Sequence, residues 1–188
     1  MPKRIVLFAS GSGSNAARIV DYFASHTEVK IAALFCNRKK AGVLEREQFK
    51  QIPTLVFNKA YFESPNFLSL LEGFKPDLIV LAGFLWKIPK ALVEYFPKQI
   101  INIHPALLPK YGGKGMFGMH VHQAVYDNQE AETGISVHFV NENYDEGDLI
   151  FQASTHLSAE DTPDTIAQKI HQLEHKHYPK VVAELLKR

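Results

Sequence analysis

Apolar and polar positions fall into short alternating blocks in the first half of the chain. Residues 4–9 form a β-branched and aromatic run that stops at a serine–glycine cluster, which predicts a buried strand. Beyond that cluster Ala17, Val20, Tyr22 and Phe23 recur at roughly helical spacing until Ser25-His26-Thr27. Strand, tight loop and helix therefore follow in order. The same reading predicts strands at 29–36, 53–57 and 78–81, and helices at 42–50, 62–74 and 89–96. Pro89 stands near the first turn of the last of these, where a missing N–H costs nothing. Strands alternating with helices across short connections predict a parallel, doubly wound sheet.

The second half reads differently. Gln99-Ile100-Ile101 is an apolar run that enters Asn102-Ile103-His104-Pro105-Ala106-Leu107-Leu108-Pro109. The two prolines close this strand because proline has no N–H for a sheet ladder. Residues 110–119 carry four glycines, Gly112, Gly113, Gly115 and Gly118, and predict a mobile loop. A short helix is expected at 120–128. Strands at 133–140 and 149–154, joined by 141–148, favour an antiparallel pair. From Pro163 onward the apolar positions share one helical face, and Pro179 is expected to kink that helix or split it in two. The fold class is α/β, a mostly parallel sheet extended by an antiparallel C-terminal half. One domain over residues 1–188 is expected, its two halves meeting near residue 100.

Composition narrows the partners. The chain of 188 residues is 46% hydrophobic and 22% charged, with a formal net charge of +1. That balance supplies no global electrostatic footprint for nucleic acid or an anionic membrane. A single cysteine, Cys36 inside an apolar run, excludes an internal disulfide framework and a cysteine metal cluster. The N-terminal run lacks a long apolar region and a cleavage site, and no segment has the length of a membrane span. A cytoplasmic protein is the expectation.

Three stretches carry candidate chemistry. Asn102 and His104 are two apart on a strand and so share a face, at the end where α/β sheets place ligands. An amide donor beside an imidazole suits a carbonyl that becomes an oxyanion. A capping asparagine and a satisfied histidine remain the plainer alternative. Gly11-Ser12-Gly13-Ser14-Asn15 sits where strand passes to helix, so free N–H groups and the helix dipole favour an anion. Gly11, Gly13 and Ala16 also fit the dinucleotide pattern, but that reading needs an acidic residue after the second strand. Phe35-Cys36-Asn37-Arg38-Lys39 offers none, so a phosphomonoester is the better ligand, with an unliganded glycine turn as the alternative. Finally, Tyr144-Asp145-Glu146-Gly147-Asp148 could bring a carboxylate to an imidazole and favour its protonated form, or be a solvated acidic turn. His120, His122, His138, His171, His175 and His177 match no zinc spacing, and no metal is expected.

Taken together, Asn102-Ile103-His104-Pro105 with Leu107-Leu108-Pro109, residues 136–140 and Asp145-x-Gly147 resemble the formyltetrahydrofolate-dependent formyltransferase family. Gly11-Ser12-Gly13-Ser14-Asn15, Asn37, Gly42-Val43-Leu44-Glu45-Arg46 and Leu81-Ala82-Gly83-Phe84 resemble its branch that acts on glycinamide ribonucleotide. The resemblance covers nearly the whole chain in order. It implies a Rossmann-like formyltransferase fold, with 10-formyltetrahydrofolate as co-substrate and a small ribonucleotide as acceptor, in a monomer or weak homodimer. Asn102, His104 and Asp145 would be the catalytic trio, with His138 behind them. Gly13, Ser14 and Asn15 would hold the phosphate, and Glu174 would meet the glycinamide end. Leu85, Trp86, Lys87, Ile88 and Asn102 would contact the folate, largely through backbone groups.

The chain departs from commoner members at Trp86-Lys87, where methionine–arginine or arginine–isoleucine is usual. Its glycine-rich stretch 111–119 is longer, and no arginine stands near residues 62–65. Within the same chemistry, a tRNA-directed formyltransferase would be expected to bring a further C-terminal domain and a basic surface. A formyltetrahydrofolate hydrolase would not need the phosphate loop. An NAD-linked dehydrogenase lacks its acidic residue.

Overall fold

The computed structural model describes residues 1–187. In chain order the elements are β1 (Lys3–Ala9), α1 (Ser14–Phe23), β2 (Val29–Cys36), β3 (Thr54–Val56), α2 (Lys59–Phe62), α3 (Pro65–Gly73), β4 (Leu78–Leu81) and α4 (Lys90–Tyr95). They continue with β5 (Ile100–His104), α5 (Met119–Asp127), β6 (Glu132–Phe139), β7 (Leu149–His156) and α6 (Pro163–Leu186). All seven strands form one sheet in the order β3-β2-β1-β4-β5-β6-β7. The first five run parallel, and β6 and β7 add antiparallel to the β5 edge.

Both faces of the sheet are covered, which explains why its central strands read as continuous apolar runs. Side chains alternate along β1: Ile5, Leu7 and Ala9 pack with α1, α5 and α6, whereas Val6 and Phe8 enter the opposite layer. That second layer is aromatic. Phe8 stacks on Phe35 at 5.0 Å between ring centroids, and Phe57, Phe62, Phe67 and Phe84 surround the pair. Such contacts add about 0.5–1.5 kcal/mol per pair beyond simple burial.

The chain runs from β1 outward to β3 and then returns to β4 on the other side of β1. Strand order reverses there, and the C-terminal ends of β1 and β4 open into a crevice. Ser10 closes its floor, its N–H donating to Gly83 O at 3.0 Å while its Oγ accepts from Leu85 N at 2.9 Å.

Three local expectations are corrected. Residues 42–50 form two 3-10 turns, Gly42–Glu45 and Glu47–Phe49, because Arg46 between them is extended and its guanidinium donates to Ser12 O. The helix expected at 62–74 is two helices, since Ser64 takes the extended conformation required before Pro65 and α3 starts afresh at the proline. β5 carries Asn102 and His104 and stops before Pro105, as the prolines predict. Pro179 lies inside α6 without dividing it. Tyr178 beside it is fully buried and donates its hydroxyl to Leu81 O at 2.9 Å, while Val181 and Val182 continue in the core. Tertiary packing on both sides carries the helix across the missing N–H.

Candidate active site

A cleft of about 490 Å³ opens at the crevice. The glycine loop forms one end, the ends of β4 and β5 the floor, and residues 113–118 and 140–145 the opposite wall.

Strand register builds the end that holds Asn102 and His104. Asn102 on β5 pairs directly with His138 on antiparallel β6, and His104 pairs with Ser136. Asn102 Nδ2 donates to His138 Nε2 at 3.2 Å. His138 can accept there because its Nδ1–H donates to Phe139 O at 2.9 Å, which fixes the tautomer. One amide proton of Asn102 is thus committed, and the second remains for a ligand. Asp145 approaches both rings, with Oδ2 3.5 Å from His104 Nδ1 and Oδ1 3.5 Å from His138 Nε2. Its backbone is left-handed, φ +57°, a conformation Asp tolerates better than most residues. Gly147 follows for a steric reason: a Cβ there would lie 1.7 Å from Phe139 O.

The electrostatics of this cluster differ from the sequence expectation. Burial pushes the His104 pKa below the ordinary histidine range, and the opposing pull of Asp145 is smaller. Its Nε2–H donates to Tyr111 O at 2.7 Å. His104 is therefore neutral at pH 7 without ligand, not protonated, although both nitrogens face oxygen atoms able to accept from an imidazolium. Asp145 moves the other way. Burial raises its pKa, but His138, His104 and the Gly113 N–H together outweigh burial and hold it below the usual carboxylate range. The two shifts act alike on stability. Each folded-state group binds its proton less readily than the unfolded chain does, so stability falls as pH drops through first the histidine and then the carboxylate range.

At the other end, Gly13 caps α1 with φ +72°, and no side chain bonds to the helix's first N–H groups. Those donors face the cleft as an anion site. Val43 backs the loop, its N–H donating to Gly11 O at 3.1 Å. Asn15 Nδ2 donates to Glu174 Oε2 at 2.9 Å, which leaves its backbone N–H and one amide proton for an anion. The same Glu174 oxygen accepts from His171 Nδ1 at 2.9 Å. The buried Glu174 carboxylate thus lines the cleft between the anion loop and the catalytic cluster.

Hydrogen bonding to Glu174 raises the His171 pKa above the ordinary value, ahead of the opposing effect of burial. The stability this pair contributes is fully present below the ordinary histidine pKa and is lost as pH rises through the elevated one. Glu174→Gln is expected to bring the His171 pKa down toward the ordinary value, read from its ring-proton NMR titration. An unmoved titration would break the assignment of the shift to Glu174.

Leu85, Trp86, Lys87 and Ile88 line the cleft beside Asn102. Two of them are already engaged. The Leu85 N–H is accepted by Ser10 Oγ, and the Trp86 ring packs on Phe57 and Phe62 at 6.0 and 5.9 Å. The Lys87 ammonium sits 5.9 Å from the Tyr144 ring centroid. Ile88, Phe84 and Val140 give this end an apolar lining suited to a flat heteroaromatic ring.

Sequence reasoning missed Ser136, whose Oγ donates to Ala106 O at 2.7 Å and accepts from Leu108 N at 2.9 Å. It pins the chain just after His104, and its place one pleat from His138 was the available signal. It also missed the Tyr111 carbonyl and the Gly113 amide, which are backbone groups without a residue-type signature. Among the described residues no set of three His, Cys, Asp or Glu side chains is arranged to hold a metal ion. None of the described helices is long and apolar enough to cross a membrane.

A mostly parallel α/β sheet thus carries a helix N-terminus with free N–H groups and an amide–imidazole–carboxylate cluster at neighbouring strand ends. The formyl transferase family profile matches residues 3–182. The chain belongs to the formyl transferase family. Phosphoribosylglycinamide formyltransferase of Bacillus subtilis is 37% identical over 191 residues, covering 98% of this chain and 95% of its own length. The chloroplastic phosphoribosylglycinamide formyltransferase of Arabidopsis thaliana is 40% identical over 97% of this chain. The chain spans 65% of that plant relative's length and 61% of the one from Vigna unguiculata. The solved phosphoribosylglycinamide formyltransferase of Anaplasma phagocytophilum superposes with a TM-score of 0.89 at 30% identity, covering 100% of this chain and 88% of its own. The one from Coxiella burnetii gives 0.84 at 38%, covering 99% and 86%.

Proposed function

We propose that this protein transfers the formyl group of 10-formyltetrahydrofolate to the amine of N1-(5-phospho-D-ribosyl)glycinamide, giving the N-formyl product and tetrahydrofolate, a step of de novo purine synthesis. One observation carries the reading: the anion loop and the Asn102–His104–Asp145 cluster open into the same cleft, with Glu174 between them. A substrate with a phosphate at one end and a nucleophilic amine at the other matches that layout. The relatives' names point to the same acceptor.

The phosphate rests on the N–H groups of Gly13, Ser14 and Asn15, and the Glu174 carboxylate receives the glycinamide end. The folate pterin lies along Leu85, Trp86, Lys87, Ile88 and Asn102, and its formyl group is the electrophile. Attack by the amine forms a C–N bond and places negative charge on the formyl oxygen. The uncommitted Asn102 amide proton donates to that oxygen, joined by the His104 Nε2–H, which turns to it from the Tyr111 carbonyl that holds it before substrate binds. Growing negative charge favours the imidazolium, whose second N–H then faces Asp145. His138 holds the Asn102 amide in place from behind. The proton lost by the amine passes toward the departing folate nitrogen, with Asp145 as the carrier, and the old C–N bond breaks. No covalent enzyme intermediate is part of this scheme.

The protein is read as one domain over residues 1–188, monomeric or weakly dimeric, acting on small molecules and not on nucleic acid or membrane. A cytoplasmic location is part of the reading, although the plant relatives are named chloroplastic, and cell fractionation checks it. Mass spectrometry of the acceptor after incubation with 10-formyltetrahydrofolate tests the function. An acceptor formylated on its glycine nitrogen is expected, and an unmodified acceptor would overturn the reading.

A further inference from the structure

Residues 111–113 touch both ionisable members of the catalytic cluster with main-chain atoms. Tyr111 O accepts from His104 Nε2 at 2.7 Å, and Gly113 N donates to Asp145 Oδ2 at 3.0 Å. Between them, a Cβ on Gly112 would stand 2.6 Å from Leu108 Cδ2 and 3.4 Å from Asp145 Cβ, so the strap lies flush against the site. The charged or titratable groups facing the pair come from elsewhere: His138 on β6, His122 on α5 and Glu174 on α6.

Tyr111 holds φ +56°, a conformation a bulky residue keeps only when its surroundings enforce it. The anchor lies outside the cleft. Tyr111 Oη donates to Glu130 Oε1 at 2.8 Å, and the same carboxylate accepts from Lys110 Nζ at 2.9 and 3.2 Å. Burial and the neighbouring carboxylate push the Tyr111 hydroxyl up to about 12, so it stays a donor throughout the working range. Lys110 and Tyr111 together hold the Glu130 carboxyl below its usual range, so it stays an acceptor. Neither Tyr111 nor Glu130 lines the cleft.

We infer that Glu130 is a positioning residue for the transfer: by anchoring Tyr111 it sets the His104 tautomer through the Tyr111 carbonyl and the Asp145 orientation through the Gly113 amide. The inference rests on the proposed formyl transfer for its kinetic arm, but its structural arm stands alone. Nitrogen-15 NMR of the His104 ring, assigned by loss of the signal in His104→Gln, reads the tautomer without substrate. The native protein should show the proton on Nε2. Glu130→Ala should lose that single tautomer and lower kcat about tenfold to a hundredfold, with both KM values little changed. Glu130→Gln keeps an acceptor for the Tyr111 hydroxyl and should retain most of the turnover. Tyr111→Phe should match Glu130→Ala, and the double variant should fall no further. An unchanged tautomer with native kcat in Glu130→Ala would overturn the inference. So would equal losses in the alanine and glutamine variants accompanied by melting, which would mark Glu130 as a fold residue only. A tautomer that shifts in a protein with no transferase activity would uphold the positioning role and refute the proposed function.

Discussion

Asn102→Ala is expected to lower formyl transfer by about a hundred- to a thousandfold, the usual worth of one oxyanion donor. The acceptor's binding should hardly change, because the phosphate loop lies at the other end of the cleft. His104→Ala should cost as much or more, since donation to the oxyanion and support of proton movement both pass through that ring. The losses should not add in the double variant, because the two side chains serve one developing charge. Steady-state kinetics with a direct binding isotherm for the acceptor checks this. Near-normal turnover in either single variant would remove that residue from the chemistry. A loss confined to KM would recast it as a binding residue.

Gly13→Ala is the second substitution with a large expected effect, and it acts on the opposite end. The position is left-handed at φ +72°, which costs a residue with a Cβ roughly 1–2 kcal/mol. A Cβ there would also meet Val43 Cγ2 at 2.3 Å, Val43 being buried and fixed by its own N–H to Gly11 O. Relieving that overlap costs about 1–3 kcal/mol more. The loop must move, and its N–H groups leave the geometry that a phosphate requires. Lower thermal stability and a weakened acceptor, with folate binding retained, are the expected results of calorimetric titration. Gly11→Ala is the control, since a Cβ there meets nothing within 4 Å. Equal behaviour of the two variants would contradict the packing argument.

The parallel half of the fold was legible because its central strands are buried on both faces. Residues 78–81 and 100–101 can be little else than strand when every side chain is apolar and turns flank them. The antiparallel β6–β7 pair was readable from the short 141–148 connection, which is too short for a crossover helix. The split considered at Pro179 does not occur, because the Tyr178 hydroxyl on Leu81 O, which a sequence does not show, holds the helix across the missing N–H. Residues 42–50 were misread because Val43 packs under Gly13 and an extended Arg46 divides the segment into two short turns.

The candidate site divides in the same way. Asn102 and His104 were legible from period-two spacing at a strand end, and Asp145 from an acidic turn beside a glycine. What residue types could not reveal is where each polar atom is spent. Asn15 gives one amide proton to Glu174, Asn102 gives one to His138, and His104 gives its Nε2–H to a backbone carbonyl. Burial then outweighs the pull of Asp145 on His104, an outcome set by how deeply the β5 end is covered and not by the sequence around it.

The most direct test of the account is the turnover of 10-formyltetrahydrofolate, followed by the folate absorbance change, with and without glycinamide ribonucleotide. The account predicts turnover only when the ribonucleotide is present, and none with the corresponding riboside, which lacks the phosphate that the Gly13–Asn15 loop holds. Equal turnover without any acceptor would contradict it and mark the cleft as that of a hydrolase.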